Sequence, residues 1–237
     1  MLSLIKENIE SKRNSQKPLW LLIISIKDYL YNLLYIYIPK IWNYLSFGIM
    51  YLTKISKLKK YKTRNDLLNT LPKNAVFGEL GVFIGEFSDK IIEICKPKEL
   101  HLIDIWQGGT WSGDKDGRNI KKVEDMEIVY ENLTKKYADN SVITLHREDT
   151  VSSLKKFQDD YFDIVYIDSS HTYKHTKKEL ELAKTKVKKG GYILGHDYCP
   201  QFYGVVRAVN EFCAVNNYKI DSLTDDICSS FCVINKK

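Results

Sequence analysis

The side chains best suited to chemistry fall in two short stretches, IDSSHTY (167–173) and GHDY (195–198). Asp168, His171, His196 and Asp197 stand there at the ends of two apolar runs that read as strands. An imidazole of ordinary pKa, about 6.5, takes up a proton near neutral pH, so His171 and His196 are candidate general bases, with Asp168 beside them. Asp168 and Asp197 together are the oxygen ligands that a hard divalent cation prefers. Each histidine also has a structural reading. His171 precedes a helix that Thr172 can cap, and His196 can simply bond to a neighbouring loop. Two histidines and two aspartates at adjacent strand ends favour the chemical reading. His175 is expected to face solvent among Lys174, Lys177 and Lys178, while Tyr173 and Tyr198 line a pocket or pack at its rim.

A third stretch, GELGVFIGEFSDK (78–90), is built for close approach. Its Glu79-x-Gly81-x-x-x-Gly85 spacing follows an apolar run, and glycines there mark a tight turn or a backbone that something nears. A dinucleotide loop wants a different spacing, GxGxxG, and Phe83 stands where its second glycine would be. Glu79 is also a poor neighbour for a pyrophosphate and a good one for a cationic or hydrogen-bond-donating ligand. Asp104 ends the run HLID, 23 residues after Gly81. A carboxylate at such a strand end can accept both hydroxyls of an adenosine ribose.

The elements that must position these residues are legible from about residue 65 onward. Strands are expected at 75–82, 99–106, 141–148, 162–168 and 192–197, and two more within YKIDSLT and SFCVINK. Helices are expected at about 85–95, 121–138, 171–187 and 203–215, the third closed by Gly190-Gly191. Such alternation argues for an α/β fold, a mostly parallel seven-stranded sheet covered by helices on both faces. The last link is short enough for a hairpin, which makes the final strand antiparallel.

Residues 1–64 differ in character and form a separate, helical segment. Residues 1–62 hold eleven lysines and arginines against three acids, a net +8, which leaves −2 for the other 175 residues of a chain whose total is +6. Residues 18–53 carry two Trp and six Tyr, and their longest uncharged run is the thirteen residues 41–53. That is short of the ~18 residues of a membrane span, and a polar start without a small-residue cleavage site argues against a signal peptide. Aromatic residues flanked by lysines suit a peripheral membrane interface with anionic lipid; packing on the body of the protein or on a second subunit in a homo-oligomer fits equally, and a lid over an acceptor pocket fits less well. The five cysteines lack paired-ligand spacing and read as reduced thiols of a cytoplasmic protein. A basic excess outside the folded body argues against nucleic acid as partner.

Taken together, Glu79-x-Gly81-x-x-x-Gly85, Asp104, Asp168 and the Gly-Gly turn before the fifth strand resemble the class I S-adenosylmethionine-dependent methyltransferases over roughly residues 70–237, within a domain expected at 65–237. The resemblance implies a Rossmann-like, doubly wound sheet. It implies that Gly81, Val82, Phe83 and Gly85 meet the methionine part of S-adenosylmethionine, and that Glu79 stands near its ammonium. It further implies that Asp104 holds the ribose and that Asp149 and Thr150 lie beside the adenine, with Asp168 at the join between cofactor and acceptor. The acidic strand ends resemble the metal-assisted branch that methylates hydroxyls of small molecules and sugars, whose acid after the fourth strand and acidic pair after the fifth hold Mg²⁺. Here the pair is His196-Asp197, so the implied metal set is Asp168, His196 and Asp197, and the imidazole turns it toward Mn²⁺ or another transition metal. The expected activity is O-methylation of a small-molecule or carbohydrate hydroxyl. The rival readings are a non-catalytic scaffold on the same fold, a nucleic-acid methyltransferase and a nucleotide-dependent oxidoreductase.

Overall fold

The computed structural model describes residues 58–107 and 126–237. The expectations for residues 1–57, membrane contact included, lie outside these residues, as does the start of the helix expected at 121. Among the described residues, no helix is long and apolar enough to cross a membrane.

Among the described residues, eight strands form one sheet in the order β1-β7-β8-β6-β5-β2-β3-β4. They are β1 (Lys59–Tyr61), β2 (Val76–Leu80), β3 (Glu99–Asp104), β4 (Ile143–Arg147), β5 (Phe162–Ile167), β6 (Val187–Gly195), β7 (Ile220–Thr224) and β8 (Phe231–Ile234). Only β8 runs antiparallel to its neighbours among these strands. The α/β class, the predominantly parallel sheet and the reversed last strand are as the sequence suggests. The count of seven is corrected to eight by β1, which pairs in parallel with β7 through Lys59↔Ser222 and Tyr61↔Thr224. The sheet domain therefore starts ahead of residue 65. A three-residue lysine-rich strand has no apolar alternation, and only its partner, more than 160 residues away, makes it a strand.

The helices are α1 (Arg64–Asn69), α2 (Glu86–Cys95), α3 (Met126–Tyr137), α4 (Thr150–Lys156), α5 (Tyr173–Lys186) and α6 (Tyr203–Val215), the last preceded by a 3₁₀ turn at Pro200–Phe202. Two of them, α1 and α4, are additions to the sequence reading, and both start at caps visible in the sequence. Thr63 accepts from the Asp66 N–H while Asp66 accepts from the Thr63 N–H, a capping box. Asp149 accepts from the Ser152 N–H at 2.9 Å. Helix α2 carries Glu86 and Asp89 in its first turn, where the positive end of the helix dipole favours them. It stops at Lys96, in left-handed conformation, because Pro97 follows.

Helix α5 ends differently from expectation. It passes directly into β6 at Val187, and Gly190-Gly191 lie inside that strand, where the register with β5 jumps from Phe162↔Val187 to Ile164↔Tyr192. The Asn235 amide donates to the carbonyls of Lys184 (3.0 Å) and Val187 (2.7 Å), so a side chain from the end of β8 closes the helix in place of the glycines.

Strands β2, β3, β5 and β6 form the middle of the molecule. All five residues of β2 are buried, and Phe77, Ile91, Leu100, Leu102, Trp106 and Ile164 are at 0 % exposure in the cluster between the sheet and α2 and α3. The chain leaves β2 toward β3 on one side and reaches β5 on the other. Their carboxyl ends diverge, and that opening is where an open α/β sheet takes a ligand.

Candidate functional site

At the carboxyl end of β2 the backbone turns at Gly81, with φ of +87°. A Cβ at Gly81 would lie 2.1 Å from the Asp168 carbonyl oxygen, and one at Gly85 would lie 2.6 Å from Leu133 Cδ2. What nears these glycines from within the molecule is thus the end of β5 and the face of α3. Phe83 between them adopts φ of +53°, a left-handed conformation that an L-residue reaches at a cost. Val82 is buried and Phe83 half-buried.

Asp104 holds this loop. Its Oδ2 accepts from the N–H groups of Val82 (2.8 Å) and Phe83 (2.9 Å), and its Oδ1 accepts from the Trp106 N–H (3.1 Å). The Trp106 indole in turn donates to the Phe83 carbonyl at 2.9 Å. Three of the roughly four acceptor positions of the carboxylate are therefore engaged by the backbone, and one remains for a ligand.

Glu79 is 1 % exposed and accepts from the Ser88 hydroxyl at 2.6 Å. Burial pushes its carboxyl up to about 8 against the opposing pull of Ser88, and Asp168 and Asp104 push it the same way. An arginine stands against these acids. Arg64, at the head of α1, lies 3.5 Å from Asp168, with its guanidinium 4.6 Å from the centre of the Phe87 ring. Arg64 is the site residue that the sequence reading missed.

On the other side of Asp168 lies the histidine network. Asp197, in left-handed conformation at φ of +59°, has a side chain only 7 % exposed. His171 Nε2 is 2.7 Å from its Oδ2 and His196 Nδ1 is 3.0 Å from its Oδ1. Burial opposes ionisation of Asp197, yet the hydrogen bonds from the two imidazoles hold its carboxyl well below the ordinary range. Burial likewise lowers His171, but Asp168 and Asp197 outweigh it and raise the imidazole to about 9. His171 is thus an imidazolium at neutral pH. The expectation of an unperturbed base is corrected at this residue by its two carboxylate partners. An ionised carboxylate only accepts, so His196 donates to Asp197 through Nδ1, which leaves Nε2 on the other side of the ring. Asp168, Ser169, His171, His196, Asp197 and Phe231 line a small cleft.

Asp168, His171 and Asp197 each place a ligand atom within 4.8 Å of the others, a set of two carboxylates and one imidazole that suits a divalent cation. His171 takes the place that the sequence gave to His196 in that set; His196 Nδ1 is 3.8 Å from Asp168 and is bound to Asp197. Thr172 occupies the N-cap of α5, but its side chain does not cap the helix and meets Ser170 at 3.1 Å.

The remaining candidates divide. Thr150 is turned inward, in contact with His175 Nε2 (2.9 Å) and with the buried Glu179, while Asp149 is half committed to capping α4. His175, expected in solvent, is instead drawn in by Glu179 at 3.3 Å and Thr150. Tyr198 packs at 1 % exposure with its hydroxyl on Asn210, and Tyr173 donates to Glu211 with Arg207 stacked on its ring.

The model of one family, described as a methyltransferase domain, matches residues 79–198 and so takes in the loop, Asp104 and both histidines. No curated protein sequence matches the chain. Among solved structures, the tRNA methyltransferase TrmK of B. subtilis superposes with a TM-score of 0.51 at 13 % identity, over 75 % of this chain and 67 % of its own. The N-methyltransferase NodS of Bradyrhizobium japonicum WM9 gives 0.50 at 15 %, over 73 % and 95 %. A ribosomal protein L11 methylase of Lactobacillus delbrueckii subsp. bulgaricus gives 0.50 at 11 %, over 73 % and 77 %. Likeness at these identities is a likeness of fold.

Proposed function

The chain belongs to this methyltransferase-domain family, and from that premise we propose that it transfers a methyl group from S-adenosylmethionine to a hydroxyl of a small molecule or carbohydrate. One observation carries the reading. Asp168 stands between two charged subsites, Arg64 with Glu79 on one side and the His171–Asp197–His196 network on the other. The first subsite fits the amino-acid end of the methyl donor. A zwitterion brings an ammonium for Glu79 and Asp168 and a carboxylate for Arg64, and the last acceptor position of Asp104 suits a ribose hydroxyl.

When bound, the donor supplies an electrophilic methyl group on a sulfonium. The chain's own part is to orient the acceptor and take its proton. His196, held through Nδ1 by Asp197, would present Nε2 as the base that takes the hydroxyl proton of the acceptor, whose oxygen would receive the methyl group that the donor supplies. Asp168, His171 and Asp197 are the residues that would hold Mg²⁺ or Mn²⁺, which lowers the pKa of a bound hydroxyl. His171 must then give up its proton, since a ligating imidazole is neutral.

Calorimetric titration of S-adenosylhomocysteine tests the donor subsite. Wild type is expected to bind in the micromolar range and Arg64→Gln about tenfold more weakly or worse, with binding of 5′-methylthioadenosine, which lacks the amino-acid end, unaffected by that substitution. Absence of binding to wild type would end the methyltransferase reading. Equal weakening for both ligands would remove Arg64 from it. Sugars and small alcohols, each with Mg²⁺, Mn²⁺ or a chelator, are then the acceptors to screen, and His196→Asn is expected to lower turnover by about 10²-fold or more.

A further inference from the structure

Two of the five cysteines, 29 residues apart in sequence, meet beside Asp197. The Sγ atoms of Cys199 and Cys228 lie 2.7 Å apart, so a bond of ~2.05 Å is reached by a shift well under an ångström. Cys199 leads into the 3₁₀ turn after β6, and Cys228 lies in the link between β7 and β8. The Tyr198 N–H donates to the Ser229 carbonyl at 2.9 Å, so the two backbones are already held side by side. We propose that Cys199 and Cys228 form a reversible disulfide that fastens the segment carrying His196 and Asp197 to the β7–β8 link.

The pair is set apart from the other thiols. Cys95, Cys213 and Cys232 are buried at 0–3 % exposure, and burial raises the thiols of Cys95 and Cys232 to about 11 and about 12, which suppresses their thiolates. Cys228 is half-buried and Cys199 is 1 % exposed. A small disulfide from solution therefore meets Cys228 first. The Cys228 thiolate attacks oxidised glutathione and releases one glutathione thiolate; the Cys199 thiolate then attacks Cys228 Sγ and releases the second. The protein loses two electrons and two thiol protons, and one oxidised glutathione becomes two reduced ones. Asp197 accompanies the two cysteines as a possible third ligand to a soft cation such as Zn²⁺. A sulfur contact this close leaves no room for an ion between the two atoms, and the disulfide is the reading it favours.

The test uses the full chain incubated with oxidised glutathione, unfolded, alkylated and analysed by intact mass and peptide mapping. The expected product has three of its five cysteines alkylated, a Cys199–Cys228 cross-linked peptide, and a melting temperature about 5 °C or more above that of the reduced chain. Cys199→Ser is expected to stop at the first step and retain one glutathione on Cys228. Retention of glutathione by wild type, five alkylated cysteines, or a purified chain that holds one zinc ion and keeps both thiols from oxidation until a chelator is added would each overturn the proposal.

Discussion

Glu79 concentrates the chemistry of a single residue into a pH dependence. The folded chain keeps the Glu79 proton up to about pH 8, whereas the unfolded chain releases it near 4.5. Across that window the folded state binds the extra proton, so this contribution to stability is complete below the lower value and lost as pH rises through the upper one. Glu79→Gln keeps an acceptor for Ser88 and cannot ionise, so its stability relative to wild type should rise between pH 5 and 8 by roughly 3 kcal/mol, read from urea unfolding at the two pH values. The same group predicts that S-adenosylhomocysteine, whose ammonium favours the carboxylate, displaces about one proton from wild type at pH 7 and none from Glu79→Gln. Titrations in buffers of different ionisation enthalpy measure that number. His171 behaves oppositely to the sequence expectation. Its raised pKa makes its stabilising pair with Asp197 complete below about 6.5 and lost as pH rises through about 9. An imidazole resonance with a midpoint near 9, lowered in Asp197→Asn and lowered further when Asp168 is also replaced by Asn, is the expected NMR observation. The sequence placed Asp104, Asp168, both histidines and Asp197 at strand ends because apolar runs announce where strands stop. It did not announce Arg64, since a cation after a lysine-rich stretch looks like any solvated charge until Asp168 and Phe87 are brought to it.

At the level of elements, the glycine loop was legible as a turn, but the reason for its glycines was not. The Asp168 carbonyl that crowds Gly81 lies just past the end of β5, 87 residues later in the chain. Gly81→Ala should cost about 3 kcal/mol or more, because a backbone clash adds to the left-handed strain; Gly190→Ala, with the same sign of φ and nothing within 4 Å, should cost only about 1–2 kcal/mol. Thermal unfolding of the pair separates space from conformation. Phe83 extends the argument: the residue departs from the glycine-rich pattern while the backbone at φ of +53° does not. Helices α1 and α4 were readable through Thr63-x-x-Asp66 and Asp149-x-x-Ser152, short cap signals without a long apolar stripe behind them. The end of α5 was not, because the group that closes it, Asn235, arrives from the last strand.

For the whole molecule, β1 fixes where the methyltransferase domain starts. The Arg64 N–H donates to Asp226 at 3.1 Å and the Asp225 N–H to Tyr61 at 2.8 Å, so the β7–β8 link and the segment around residue 62 hold one another. A chain beginning at residue 58 should retain the S-adenosylhomocysteine affinity of the full chain, whereas one beginning at 65, which lacks β1 and Arg64, should lose about tenfold or more by the same calorimetry. For the same reason a vesicle co-sedimentation test of the basic segment should remove residues 1–57 and not 1–62; equal lipid binding with and without them would set the membrane expectation aside. One more property follows from the indole that closes the loop. Trp106 is wholly enclosed, tilted against Tyr130 with 5.1 Å between ring centres, and bonded to the carbonyl of the left-handed Phe83. With Trp20, Trp42 and Trp111 replaced by Phe, the protein would keep a single tryptophan, wired to the loop, and the colour of its selectively excited emission would follow occupancy of the site without any label.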